Sequence, residues 1–319
     1  MAQPLSRVQV NTLVSTAINT LFDVRGKKVK QSLKGILRDE TPSTAVRITS
    51  KVGFFDELAK KPEFEPSPLK EIALDSYRTT VPESYGAGIV ISREAMDDLG
   101  KEMFGPQGKS QLASLAKLGG KFRDAAAHTQ EVLNAQPFLL ANSATATAKW
   151  IGAGRDAKAL AASDHPLLVT GGTYSNLGAT ASLSQTALFN LRKSLQTITS
   201  DEGIPRGMPD SFTLVIGPEN EDNAHVAIAT KMLQGSANND RSVIENVKFN
   251  VVVSPYITGT EYTLLDTSED GHSLFYIEPQ KPIIEEDYDT NTKSYLYTVF
   301  FRYRVDFDDP HGLMFSPGA

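Results

Sequence analysis

The chain contains no cysteine in 319 residues. Disulfides, thiolate metal sites and cysteine nucleophiles are therefore excluded. No apolar run approaches the ~18 residues of a membrane-spanning helix. The N-terminus lacks the compact apolar core and small-residue cleavage site of a signal peptide. Hydrophobic residues make up 40% and charged residues 22%, close to globular averages, so a disordered chain, a collagen and a coiled coil are excluded as well. A soluble protein made in a cytosol is expected, with no membrane partner and enough length for one large domain or two ordinary ones.

What charge there is lies unevenly. Arg7, Arg25, Lys27, Lys28, Lys30, Lys34 and Arg38 stand against Asp23 alone in residues 1–38. Of the chain's 32 basic and 38 acidic residues, this leaves 25 and 37 for the rest. A basic arm on an acidic body is expected to meet something negative: nucleic acid, a scaffold protein or a neighbouring copy. The plainer reading is a solvated arm.

Hydrophobic spacing sets the elements. Val10, Leu13, Val14, Ala17, Ile18 and Leu21 predict a helix over residues 6–22 that must dock to be stable. Residues 44–55 and 72–92 are rich in β-branched and aromatic residues and flank the proline-bearing stretch 60–68. Together they predict a long two-stranded ribbon. A lone ribbon is marginal in water, so it needs a surface, and a neighbouring subunit would supply one. Ser92 is placed to cap a helix from Arg93, and a break near 104–108 precedes a long helix over about 109–135 that Gly119-Gly120 should weaken. Residues 137–181 read as loops with short strands.

From about residue 182 the pattern becomes α/β. Ser184 is placed to cap a helix, Phe212–Ile216 is a strand and 220–233 a helix. Strands follow at 247–256, 261–266 and 272–277. Near the end, Tyr295, Tyr297, Val299, Phe301, Tyr303, Val305 and Phe307 occupy alternate positions, with Arg302, Arg304, Asp306 and Asp308 on the other face. This predicts one strand over 294–308, about 50 Å long at ~3.3 Å per residue.

Chemical motifs are weak. Gly105-Pro106-Gln107-Gly108-Lys109-Ser110 has the end of a phosphate loop, but Met103 stands where its first glycine belongs. A helix break is the expected role. Asp287-Tyr288-Asp289-Thr290-Asn291 starts like a calcium loop, but Thr292 and Thr298 replace its glycine and glutamate, which leaves an acidic turn. The five histidines, at 128, 165, 225, 272 and 311, include no pair with metal-ligand spacing. His165 is expected to serve a turn, and no Gly-x-Ser-x-Gly elbow supports a nucleophilic serine. No catalytic residue, cofactor or metal is expected.

At this point four segments resemble the major capsid proteins of tailed bacteriophages, which have the Hong Kong 97 fold. They are Tyr85-Gly86-Ala87-Gly88-Ile89-Val90-Ile91-Ser92-Arg93-Glu94-Ala95-Met96-Asp97-Asp98; Asp164-His165-Pro166 followed by Tyr174-Ser175-Asn176-Leu177 and Leu183-Ser184; Val252-Val253-Ser254-Pro255-Tyr256; and the long terminal strand. The second is similar in order to Mu-type head subunits. The resemblance implies an α+β chain: an N-arm (1–38), an extended two-stranded loop (39–92), a P domain with a spine helix (93–179), an α/β A domain (180–284) and a return strand of the P domain (285–319).

The implied function is a major capsid protein that self-assembles into pentamers and hexamers of an icosahedral head enclosing double-stranded DNA without sequence specificity. A portal and a decoration protein are the further partners implied, and a separate scaffolding protein is expected since no long charged helical pre-segment is present. The location would be the virion, after assembly in the host bacterial cytoplasm. Candidate inter-subunit contacts are Phe54, Phe55, Leu58, Lys60, Lys61, Glu63, Phe64 and Glu65; candidate arm contacts are Arg25, Lys27, Lys28, Lys30 and Lys34. Lys60, Lys61 and Lys70 lie in the loop where some relatives cross-link, but no catalytic carboxylate and acceptor accompany them. The alternatives are an encapsulin-like nanocompartment shell, a tail protein, and an α/β enzyme with a β-rich extension.

Overall fold

The computed structural model describes residues 7–26, 31–44, 46–53, 60–61, 63, 66–67, 69, 72–75, 77–102, 106–143, 156–205, 209, 211–230, 247–268 and 271–319. The chain divides into two compact units. The first is Met1–Gln31, Pro82–Glu131 and Ile277–Arg304; the second is Ser32–Val81, Val132–Tyr276 and Val305–Ala319.

In the first unit, α1 (Arg7–Gly26) buries Val10, Val14, Ile18 and Phe22, a strict i, i+4 stripe. The expected face was broader. Leu13 is 44% exposed, because the helix meets its neighbours along one narrow line. Those neighbours are Met96 and Leu99 of α2 (Arg93–Glu102), Phe122 of α3 (Pro106–Leu139), and Tyr297 and Val299 of β13 (Ser294–Phe307). The predicted cap holds: the Ala95 amide donates to Ser92 Oγ at 3.2 Å.

Helix α3 is longer than expected and starts on Pro106, where a missing N–H is harmless. Its Gly108-Lys109-Ser110 is helical, so the phosphate-loop geometry is absent there. Gly119 does more than weaken it. A Cβ at this position would lie 2.0 Å from the Ile18 carbonyl oxygen, so the glycine lets the α1 backbone approach.

Strand β13 buries alternate residues as predicted and pairs antiparallel with β6 (Glu83–Ser92), from Ser294↔Ser92 to Tyr303↔Glu83. This corrects the expectation of one strand-like arm over 72–92: residues 83–92 belong to a sheet, because ten consecutive pairs with β13 satisfy far more backbone than a free ribbon would. On its other side β13 is bonded to β12 (Leu274–Asp289). At 16 residues β12 also corrects the short strand expected at 272–277. The acidic turn is present at its end, where Asp289 accepts from the Asn291 amide and Thr292 Oγ1, each at 2.8 Å.

The second unit holds a four-stranded sheet in the order β10 (Phe249–Val253), β9 (Phe212–Ile216), β11 (Tyr262–Asp266), β14 (Leu313–Ser316). Strands β9 and β10 are parallel, which requires a crossover, and α5 (Glu221–Ala229) lies within it. With α4 (Gln185–Thr197), capped by Ser184 as predicted, α5 covers the sheet. The core is Leu188, Leu191 and Leu195 of α4, Ala224 and Ala227 of α5, and Phe212, Leu214, Ile216, Tyr262, Leu264 and Met314 of the sheet. Strand β14 had no sequence signal of its own: all four of its residues are buried, so no alternation marks it.

Within 156–181, two short strands, β7 (His165–Pro166) and β8 (Thr173–Tyr174), pair antiparallel. Buried Asn176 organises the surrounding loops. Its Nδ2 donates to the Leu160 and Pro310 carbonyls at 2.8 and 3.0 Å, and its Oδ1 accepts from the Ala162 amide at 2.8 Å. The short strand β1 (Arg38–Asp39) runs parallel to Phe275 and Tyr276 at the start of β12.

Candidate assembly surface

The two-stranded ribbon exists as paired short strands in the second unit. Strand β2 (Arg47–Thr49) pairs antiparallel with β5 (Arg78–Thr80), and β3 (Val52–Gly53) with β4 (Ala73–Leu74). Its patterning is inverted. Arg47, Thr49, Arg78 and Thr80 turn inward, while Ile48 between Arg47 and Thr49 is exposed.

The inward residues, together with Lys51, meet four aspartates. Asp306 of β13 takes the Arg78 guanidinium, the Thr80 hydroxyl at 2.7 Å and the Phe307 amide at 2.8 Å. Asp308 takes Arg47 on both oxygens, at 2.8 and 2.7 Å, and Thr49 Oγ1 at 2.9 Å. Asp309 takes Lys51 Nζ at 2.6 Å, and Lys51 is shared with Asp201. Asp306 thereby departs from the charged outward face expected of it: it is 1% exposed, since Arg78 supplies the charge that makes burial tolerable.

The guanidinium of Arg47 also lies 4.1 Å from the Phe275 ring centroid, and that of Arg78 4.7 Å from Phe307. Burial lowers the proton affinity of Lys51, yet the two carboxylates outweigh it and its pKa is raised. Burial likewise favours the neutral Asp309 carboxyl, but hydrogen bonding from His311 and the charge of Lys51 win. Its pKa sits below the ordinary carboxylate range.

Next to this root, Tyr174 stacks between His165 and His311, with centroids at 5.2 and 4.0 Å. His165, expected in a turn, is a buried β7 residue whose Nδ1 lies 2.6 Å from Asp156 Oδ2. Burial tends to raise the Asp156 pKa, and the His165 hydrogen bond reverses this to a net lowering. Asp156, His165, Tyr174 and Lys51 line a cavity of about 270 Å3. Among the described residues no group of three or more His, Asp or Glu is arranged to hold a metal ion.

Beyond the root, apolar side chains face outward: Ile48, Leu69, Ile72, Leu74, Tyr77 and Val81, with Leu69 97% and Tyr77 79% exposed. None was singled out from the sequence. For Ile48, between Arg47 and Thr49, and for Tyr77 and Val81, next to Arg78 and Thr80, the signal was the inverted alternation, an apolar residue beside Arg or Thr that turns inward. Of the expected contacts, Lys60, Lys61 and Glu63 are exposed. Phe54, Phe55, Leu58, Phe64 and Glu65 lie outside the described residues, as do Lys27, Lys28 and Lys30. Arg25 pairs with Asp124 of α3 at 2.6 Å, and Lys34 Nζ lies 4.7 Å from the Tyr276 ring centroid. No helix among the described residues is long and apolar enough to cross a membrane.

No curated protein matches the chain. Solved structures show the fold at low identity. A chain from Mycobacterium phage Bobi is 12% identical with a TM-score of 0.53, covering 91% of each chain. The capsid of the Cyanophage P-SCSP1u is 10% identical with a TM-score of 0.52, covering 89% of this chain and 86% of that one. The capsid of a native GTA particle is 12% identical with a TM-score of 0.51, covering 91% and 90%. Residues 77–314, from the second arm of the ribbon to β14, match the phage capsid protein family. An α+β chain with a pinned ribbon, a long buried strand and a covered four-stranded sheet thus belongs to the phage capsid protein family, as a structural protein of the bacteriophage head.

Proposed function

We propose that this capsid protein is a major head subunit of the Hong Kong 97 type, with a chain order similar to Mu-type subunits. Its segments are the N-arm 1–38, the extended loop 39–92, the P domain 93–179 with its return strand 285–319, and the A domain 180–284. Copies assemble into pentamers and hexamers of an icosahedral shell around double-stranded DNA in the host bacterial cytoplasm, with a separate scaffolding protein, a portal and a decoration protein as partners. The acidic body suits such a container, since like charge keeps DNA from adhering to the wall.

The observation that carries this reading is the ribbon: charged and hydroxyl residues anchor its root, and Ile48, Leu69, Ile72, Leu74, Tyr77 and Val81 are left in solvent. A monomer gains nothing from that arrangement; a subunit that lays the ribbon across its neighbour buries the exposed row. Phe54, Phe55, Leu58 and Phe64 are the proposed apolar anchors at the tip, with Lys60, Lys61, Glu63 and Glu65 as polar contacts. Lys27, Lys28, Lys30 and Lys34 are proposed to tie the arm to scaffold or to a neighbour.

Deleting residues 40–80 outright would strip Asp306, Asp308 and Asp309 of their cations and unsettle the body. The cleaner experiment removes 54–72 and joins Gly53 to Ala73, which already face each other across the ribbon, through a short Asn-Gly turn. Electron microscopy of the full chain with its scaffold is expected to show closed shells. The shortened chain should stay soluble and unassembled. Shells formed normally without 54–72 would overturn the role given to the tip.

A further inference from the structure

Among the described residues, β6 is the last strand of its sheet, bonded to β13 on one side and to no strand on the other. The Arg93 amide donates to the Lys293 carbonyl at 3.0 Å, one step beyond the Ser92↔Ser294 pair. Hydrogen-bonded and non-bonded pairs alternate along an antiparallel ladder, so the odd-numbered residues of β6 direct their backbone groups at β13. Ser84, Gly86, Gly88, Val90 and Ser92 direct theirs at the open edge, and all five are exposed.

Native proteins blunt such edges with lysine, proline, a bulge or a short strand. β6 carries no lysine or proline, pairs one-to-one with β13 without a bulge, is 10 residues long and has Glu83 as its one charged side chain. An edge of this kind is a template for a further strand.

Its sequence fits a copy of itself. Laid antiparallel about Gly88, two β6 strands set Ser84 opposite Ser92, Gly86 opposite Val90, and Gly88 opposite Gly88. This register gives every outward residue an outward partner. Val90, an apolar side chain 65% exposed, comes to lie beside Gly86, whose missing side chain leaves room for it. The same register sets Glu83, which holds Arg304 at 3.0 Å, opposite Arg93 at the start of α2, and so brings opposite charges together at both ends. A slip of two residues separates those charges and leaves outward groups without a partner.

We propose that β6 pairs with β6 of a second copy about a two-fold axis at Gly88, so that two subunits share one continuous sheet. The pairing goes beyond the ribbon contact, and it rests on the capsid reading only for bringing copies side by side.

A chain without cysteine makes the register readable. Gly88→Cys places two thiols at a hydrogen-bonded pair, with Cα atoms about 5.5 Å apart and within disulfide reach. It is combined with Thr298→Ser, because a Cβ at 88 would lie 2.8 Å from Thr298 Cγ2. Val90→Cys is the control, since its two thiols would stand about 13 Å apart along the strands, too far to bridge. The full chain with its scaffold is oxidised, run on a non-reducing gel and imaged by electron microscopy. G88C/T298S should give at least about tenfold more disulfide dimer than V90C. Adding Val90→Pro removes an outward N–H without touching the ladder to β13, and most of that dimer should be lost. In the unaltered chain, the amides of Gly86, Gly88 and Val90 should exchange with deuterium more slowly as protein concentration rises. No dimer at 88, equal dimers at 88 and 90, or exchange independent of concentration would refute the pairing. Shells without the dimer at 88 would refute it alone and leave the capsid reading standing; the dimer at 88 without shells would do the reverse.

Discussion

Asp308 receives Arg47 through two parallel contacts, Nη1 to Oδ1 at 2.8 Å and Nη2 to Oδ2 at 2.7 Å, across 261 residues of sequence. The pair fastens the ribbon to the segment that follows β13. The Arg47 side chain is 15% exposed, so water screens the contact poorly.

Replacing this arginine by lysine tests the geometry. Lysine keeps the charge but loses the planar fork and the stacking on Phe275. Arg47→Lys is expected to lower stability by about 1–2 kcal/mol in urea unfolding of the protomer. An unchanged midpoint would mean that charge alone holds the root.

Asp306 is a harsher case, because both partners are buried. Asp306→Asn leaves Arg78 charged and without its carboxylate, which should cost about 3–5 kcal/mol. The double variant D306N/R78M removes the stranded charge as well and is expected to recover part of the loss. Denaturant curves for the two singles and the double give the coupling; strict additivity would rule out a direct pair.

The adjacent glycines of α3 should behave oppositely. Gly119→Ala drives a methyl group into the Ile18 carbonyl and forces α1 off its seat, at about 1–3 kcal/mol. At Gly120 a Cβ meets nothing within 4 Å, so Gly120→Ala should stabilise by about 0.5–1 kcal/mol through helix propensity. Thermal unfolding is expected to shift down for the first and up for the second.

Acid should act in two windows. His272 is pushed down to about 4 from its ordinary 6.5, so the unfolded chain takes up that proton first. Stability therefore falls as pH drops from 6.5 to about 4, by up to roughly 3 kcal/mol. Asp309 is held below the ordinary carboxylate range. Its contribution is complete above the unfolded value near ~3.9 and is lost as pH falls through the lower folded value. H272Q should flatten the upper window and D309N the lower one, read from unfolding midpoints across pH.

Local pattern carried much of this architecture. The alternation of Tyr297, Val299, Phe301, Tyr303, Val305 and Phe307 announced β13, and Ser92 and Ser184 announced the starts of two helices. Apolar spacing placed α1 but not the exact stripe it buries. Caps and periodicity are written over a few residues, where the backbone itself relates neighbours in sequence to neighbours in space. The length of β12 and the whole of β14 were not legible, because both depend on partners far along the chain.

The candidate surface divides in the same way. Sequence alone determined that a β-rich, proline-tipped segment lies between residues 44 and 92 and that the chain carries a basic arm on an acidic body. Only the tertiary structure decided that the arginines, lysine and threonines of the ribbon face inward, that Asp306 is buried beside them, and that Ile48, Leu74 and Tyr77 are turned out to solvent. Composition records how much charge and apolar surface a chain has. Which charges neutralise each other, and which apolar face is left over for a neighbour, is settled by contacts between residues more than two hundred positions apart.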